Sequence, residues 1–170
     1  MITFHKMGYD DLPLLAETRQ KVWAATYRGI YSDEKIDNYN PHWYIIRDRK
    51  RMMDPNQDYY LVRDGENCVG YFYYGTPHVQ IKDHTFCLNA LYLLPDYQGQ
   101  GIGRRIFDHI RQVCRERGIS KFFNGCNVHN LPAQGFYYKM GGTVEIIHDG
   151  HEDKGEDQMY FEYQLEGETI

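Results

Sequence analysis

The sequence predicts an α/β fold, a single domain built on a mixed sheet, with elements in the order β-α-α-β-β-β-α-β-α-β-β. Three observations carry that prediction. Residues 84–126 run as apolar strand, glycine turn, amphipathic helix and apolar strand, the pattern of a parallel crossover. Just before it, two strand-like runs meet at Asp64–Gly65, a hairpin turn pair. With 170 residues, 42% hydrophobic and 25% charged, the chain is globular and long enough for one substantial core.

Local chemistry gives the elements in turn. I-T-F-H-K (2–6) alternates as a short strand does. Asp10 or Asp11 can cap a helix with Pro13 in its first turn; Leu14, Leu15, Thr18, Val22 and Ala25 then recur at helical spacing as far as Tyr27–Gly29. Ser32 can cap a second helix, interrupted at Pro41 and resuming through Trp43 to Met53. Residues 58–63 and 67–76 are the hairpin strands, and 84–94 is a strand ended by Pro95. Over 102–117, Ile102, Ile106, Phe107, Ile110, Val113 and Cys114 form one apolar stripe, with Gly118 as the C-cap. Residues 119–126 return as a strand. Pro132 opens a short helix, 132–140, stopped by Gly141–Gly142. Two strands, 143–148 and 157–165, flank a polar loop.

The net charge of −5 carries no basic patch, so nucleic acid is not expected as a partner. No stretch approaches the ~20 apolar residues of a membrane span. M-I-T-F-H-K also lacks the apolar run of a signal peptide, so a cytoplasmic protein without a membrane partner is expected. Cys68, Cys87, Cys114 and Cys126 show no C-x-x-C spacing and read as reduced thiols. Sixteen tyrosines is an unusual number, and some are expected to line a cavity.

The segment L-N-A-L-Y-L-L-P-D-Y-Q-G-Q-G-I-G-R (88–104) sets Gly99, Gly101 and Gly103 between an apolar strand and a helix start. Glycine permits positive φ and has no Cβ to hold a ligand off the backbone. Free amides at a helix N-terminus, at the positive end of its dipole, form an anion site. A phosphate or pyrophosphate held by main-chain amides is therefore predicted. A P-loop needs Lys followed by Ser or Thr after the glycines, where this chain has Arg104. A dinucleotide fingerprint needs its third glycine at 104 or 106, which are Arg104 and Ile106.

The remaining pattern, Q-x-x-G-x-G at Gln98, Gly101 and Gly103, resembles the acetyl-CoA pyrophosphate loop of the GCN5-related N-acetyltransferase (GNAT) superfamily. L-Y-L-L-P-D-Y-Q-G-Q-G-I-G-R-R-I resembles that family's strand-turn-helix core. N-V-H-N-L-P-A-Q-G-F-Y-Y-K-M-G-G resembles its second signature through Asn130, Ala133, Phe136, Tyr137 and Gly141. In the N-terminal third, Trp23 and T-Y-R-G-I (26–30) are similar to family members. The resemblance implies a splayed central strand pair and acetyl-CoA as co-substrate. Amides of Gln98, Gly99, Gln100, Gly101, Ile102, Gly103 and Arg104 would hold the pyrophosphate, with Arg104 or Arg105 adding charge. The backbone of Leu91, Tyr92 and Leu93 would meet the pantetheine arm as a β-augmenting ligand does. Asn130 would hydrogen-bond the pantetheine, or cap the helix ahead of Pro132, or both. Tyr137 would contact the cofactor and protonate the departing CoA thiolate; Tyr138 would point elsewhere.

The general base is not carried over. Family members with a strand glutamate place it eleven residues before the motif Gln, and here that position is Cys87. A strand cysteine is usually an inert hydrophobe, so a water chain or an already neutral amine is the expected proton route. His78, His84 and His129 are candidates by titration range alone, and a loop histidine is normally solvated. His148, His151, Glu152 and Asp153 match no metal-ligand spacing, so no metal is expected. The amine acceptor is expected against residues 24–45, Gly75–His78 and 149–156. Tyr27, Tyr31, Tyr39, Tyr73 and Tyr74 with Asp33, Glu34 and Asp37 suggest a small cationic or aromatic amine. Two alternatives stay open: a CoA-binding regulatory module without turnover, and transfer of a longer acyl group, which bulky Tyr92 or Phe136 would oppose. The resemblance also allows a homodimer.

Overall fold

Strand alternation and helical stripes resolve into seven strands and five helices over residues 1–165, which the computed structural model describes. The strands are β1 (Ile2–Lys6), β2 (Asp58–Asp64), β3 (Asn67–Gly75), β4 (Cys87–Leu93), β5 (Lys121–Asn127), β6 (Thr143–His148) and β7 (Gln158–Gln164). The helices are α1 (Leu12–Tyr27), α2 (Asp33–Asp37), α3 (Pro41–Met52), α4 (Ile102–Glu116) and α5 (Leu131–Lys139). The sheet order is β1-β2-β3-β4-β5-β7-β6. Only β4–β5 is parallel, joined by the crossover through α4.

Each face of the sheet has its own core. On one, Ile106, Phe107 and Ile110 of α4 pack on Phe72, Leu88, Phe122 and Phe161. Full burial of each such side chain contributes about 1.5–3 kcal/mol. On the other, Leu15 and Val22 of α1 pack on Leu61, Tyr71, Tyr73 and Ala90. A buried ion pair ties this second layer together: Arg19 Nη1 lies 2.8 Å from Asp48 Oδ2, each side chain 1% exposed. Asp48 also accepts from the Tyr59 hydroxyl and from Arg47 Nη2, both at 3.1 Å. Helices α1 and α3 are thereby fastened to β2.

The structure corrects several boundaries. Pro41 starts α3 rather than interrupting a helix, because Asn40 caps it by accepting from the Trp43 amide. Three helices therefore precede the hairpin. Asp11 stands at the cap of α1, yet its carboxylate accepts from the Gly8 amide and pairs with His5. In the hairpin, Asp64 pairs with Asn67, so the turn centres on Gly65–Glu66. Strand β4 begins at Cys87, not at 84, since the His84 amide closes a turn onto the Ile81 carbonyl.

Two irregularities of β4 shape the middle of the sheet. Tyr73 pairs with Ala90 but Tyr74 with Leu88, which leaves Asn89 as the extra residue of a bulge. Toward β5 the pairing is confined to Cys87–Phe123 and Leu88–Asn124. Beyond those pairs β4 and β5 separate.

Candidate active site

The glycine turn divides into two kinds of glycine. Gly99 and Gly101 have φ of +73° and +82°, and a Cβ on either would meet nothing within 4 Å, so open space lies before them. Gly103 is a packing residue, because a Cβ there would stand 2.6 Å from the Phe136 ring. Among the described residues, the amides of 99–104 donate to no backbone carbonyl; the first bond into α4 is Arg105 N to Gly101 O. Six consecutive donors thus gather where the dipole of α4 is positive. Gln98 Nε2 donates to the Leu93 carbonyl, and Gln100 Nε2 to that of Asp96, which fixes the loop to the strand end. Ile102 is buried in the core, while Arg104 is exposed. Arg105 turns away, stacking on Phe4 and donating to the Ile2 carbonyl.

The opening between β4 and β5 begins beside this loop. The Leu94 amide donates to Val69 of the preceding β3, so strand alternation turns the amides of Leu93 and Leu91 to the free edge. Tyr92 projects to the α1 face, its hydroxyl 2.5 Å from that of Tyr27. Tyr137 of α5 is buried, ringed by Phe107, Phe136 and Phe161. Burial pushes its phenol well up, against a hydrogen bond with Asn124 that lowers it. Asn124 pairs with Leu88 at the point where β4 and β5 part, so Tyr137 stands beside the opening. Tyr138 is 52% exposed and points away. Asn130 caps α5 by accepting from the Ala133 amide at 3.3 Å, which leaves its amide donors unengaged.

Cys87 is buried and its thiol pushed up by desolvation, so it is inert as a nucleophile. All four cysteines are free. His78 sits against Tyr73 near the bulge, its amide donating to Asn89 Oδ1. Burial, then Arg51 and Arg47, lower its pKa to about 4 and keep it neutral. His84 is not solvated. It is buried on Phe123, 3.1 Å from Glu145 and 3.4 Å from Glu162, and Lys82 pairs with Glu145. Its ring nitrogen and the two carboxylates lie within 4.8 Å of one another, a metal-compatible grouping that sequence spacing does not reveal. Asp157 joins two loops: one oxygen meets His129 Nε2, the other His151 Nδ1, each at 2.7 Å. His129, then His151, lower its pKa to about 2.

Of the expected acceptor residues, Tyr27, Tyr31 and Tyr39 gather around Trp23 with ring centroids 5.8–6.0 Å away. Gly155 brings the 149–156 loop to them, since a Cβ there would stand 2.1 Å from the Tyr31 ring. A cavity of about 370 Å³ opens alongside, lined by Trp23, Lys35, Asn38, Tyr39, Asn40, Trp43 and Tyr44. Tyr74 does not belong here; it lies on the α4 face with its hydroxyl on His109. Tyr73 stacks on Tyr59. Asp33 and Asp37 are both held by Arg28. Sequence reasoning also misses Asn124, although a polar residue inside the apolar run F-F-N-G-C is a usable signal.

The chain also matches a known protein family. The model of the acetyltransferase (GNAT) family matches residues 23–142, most of the chain. The chain belongs to the GNAT family of acetyltransferases. It is an acyltransferase, and acetyl-CoA is its co-substrate. The spermidine N(1)-acetyltransferase of Thermoplasma acidophilum is 27% identical over 152 residues, covering 85% of this chain and 89% of that protein. The mouse thialysine N-ε-acetyltransferase is 26% identical over 106 residues, 62% of this chain and 57% of that one. Among solved structures, the PaiA N-acetyltransferase of T. acidophilum in complex with coenzyme A superposes with a TM-score of 0.74 at 23% identity, covering 96% of this GNAT chain and 99% of that one. The Salmonella typhimurium yncA protein, solved with acetyl-CoA, gives 0.70 at 15% identity over 99% and 96%. No helix among the described residues is long and apolar enough to cross a membrane.

Proposed function

We propose that this GNAT enzyme moves the acetyl group of acetyl-CoA directly to the primary amine of a small molecule or peptide, in a ternary complex. The observation that carries the reading is one continuous path. Unengaged amides over 99–104 lead to the free edge at Leu91 and Leu93, and that edge runs back to Leu88 and Asn124, where the strands part and Tyr137 meets Asn124. The pyrophosphate takes the amides from Gln98 to Arg104, with Arg104 adding charge. The pantetheine amides pair with the free edge at Leu91, the Tyr92 backbone being committed to β3, and the free amide donors of Asn130 take a pantetheine carbonyl.

The neutral amine attacks the thioester carbonyl, and the Leu93 amide stabilises the oxyanion. The tetrahedral intermediate then collapses, the C–S bond breaks, and Tyr137 gives its proton to the sulfur. Burial keeps Tyr137 protonated, as a donor requires. The same desolvation raises the proton affinity of the departing thiolate. Strand β4 offers no carboxylate base, so the amine's proton leaves through water. Incubation with acetyl-CoA and a panel of primary amines, following free thiol, tests the reading. Amine-dependent thiol release is expected; acetyl-CoA binding without thiol release across the panel would instead favour a regulatory module.

A further inference from the structure

The aromatic cavity beside the opening has one cation in its lining, Lys35, and no carboxylate. Lys35 Nζ stands 4.3 Å over the Tyr31 ring and makes no ion pair among the described residues. Arg47 covers the Tyr44 ring at 4.7 Å and Trp43 at 5.6 Å; Arg19 lies 5.0 Å from the same Tyr44 ring. The carboxylate buried there, Asp48, is already engaged by Arg19, Arg47 and Tyr59. The nearby acids Asp33 and Asp37 are engaged by Arg28. Trp23 Nε1 in the lining and Arg47 Nε behind it are buried without a hydrogen-bond partner, and each can only donate. Asn40 caps α3 with its oxygen, so its free amide group also donates.

The cavity is one aromatic layer from the opening. Trp23 meets Tyr27 edge-on at 5.8 Å, and the Tyr27 hydroxyl bonds to that of Tyr92 on β4. A ligand's second ammonium lodged here would find no carboxylate in the lining, and Tyr44 and Trp43 already covered by arginines. An anionic oxygen group would find the Lys35 ammonium and the amide donors of Asn40.

We infer that the acceptor carries, besides its amine, an anionic oxygen group, a carboxylate or a phosphate, and that this group lodges in the aromatic cavity against Lys35. The inference rests on the proposed acetyl transfer, since it seats the other end of the acceptor at the opening. Lys35 is then the residue that decides acceptor specificity.

Trp23 and Trp43 are the chain's two tryptophans and both line the cavity, so intrinsic fluorescence reports its occupancy without turnover. Two matched pairs serve as probes: lysine against cadaverine, its decarboxylated diamine, and phosphoethanolamine against ethanolamine. In each pair the anionic member is expected to bind about tenfold tighter or more. Whichever pair shows the larger ratio identifies carboxylate or phosphate. Lys35→Glu is expected to reverse the order and Lys35→Gln to flatten it; Lys35 is exposed, so both variants keep the fold. Equal or tighter binding of cadaverine by the native protein overturns the inference, as does an order indifferent to Lys35→Glu or a signal that none of the four probes moves. Acetyl-CoA binding, followed in parallel by calorimetry, separates the two readings. Its absence removes the acetyl-transfer proposal, whereas thiol release with a silent cavity removes this inference alone.

Discussion

A single side chain can be buried for packing, for chemistry or for both, and Tyr137 shows how the two are told apart. Its ring fills the α4–α5 core and its phenol is held protonated, so only the hydroxyl distinguishes donor from filler. Tyr137→Phe keeps the ring. It is expected to lower kcat by about 10–10³-fold with little change in acetyl-CoA affinity, measured by steady-state kinetics and calorimetry. Asp157 gives a second prediction, in pH. Held by His129 and then His151, its carboxyl titrates at about 2 in the folded chain, below its unfolded value of about 4. Its stabilising contribution is therefore complete above pH about 4 and disappears as pH falls through about 2. Asp157→Asn should melt below the native protein at neutral pH, with the gap closing as acid is added. Sequence makes the positive-φ turn at Gly99 and Gly101 and the Asn130 cap legible because spacing and residue type are local properties. It leaves His84 among solvated loop histidines, because its carboxylate partners Glu145 and Glu162 lie on strands β6 and β7, about 60 and 80 positions away in the chain.

Among the elements, α4 forms a wall of the core and starts at the glycine loop proposed to hold the pyrophosphate; Gly99 and Gly101 shape that loop, and Gly103 serves the core. Gly103 lets the Phe136 ring of α5 come against α4. Gly103→Ala overpacks that contact, at a cost of about 1–3 kcal/mol, and shifts α5 with Tyr137 on it, so melting temperature and kcat should fall together. Phe136→Leu in the same chain makes room for the methyl group. The double variant should be more stable than the sum of the single changes, and additive melting data would refute the contact. Helix ends are partly legible. The apolar stripe of α4 gives its extent to within a residue, and Gly118, at φ +68°, ends it as expected. Pro41 misleads because proline stops one helix and starts another with the same fixed φ, and only the Asn40 side chain decides which.

For the whole molecule the decisive feature is that β4 and β5 pair at two positions and then part. A ligand bridging that gap binds the folded chain only. Saturating acetyl-CoA, at about 100 times its Kd, should stabilise the fold by about 2.7 kcal/mol, which for a chain of this size raises Tm by about 5–10 °C. Hydrogen exchange should show the Leu91 and Leu93 amides less protected than Tyr92 without acetyl-CoA and protected with it. Unchanged exchange at those two amides would remove the strand-edge role. Residue order is enough to specify the α/β class, the parallel crossover, the glycine loop with its Gln98–Gly101–Gly103 spacing, and the family to which they point. Those features depend on residues close together in the chain, where periodicity and turn chemistry act. Packing in three dimensions is what makes Asn89 a bulge, takes Tyr74 off the acceptor face, and brings Arg19 and Asp48 together in the core. It also sets Lys35 in the lining of the aromatic cavity beside the opening. Each of these depends on partners from separate elements, and a charge acquires its role only from what is packed against it.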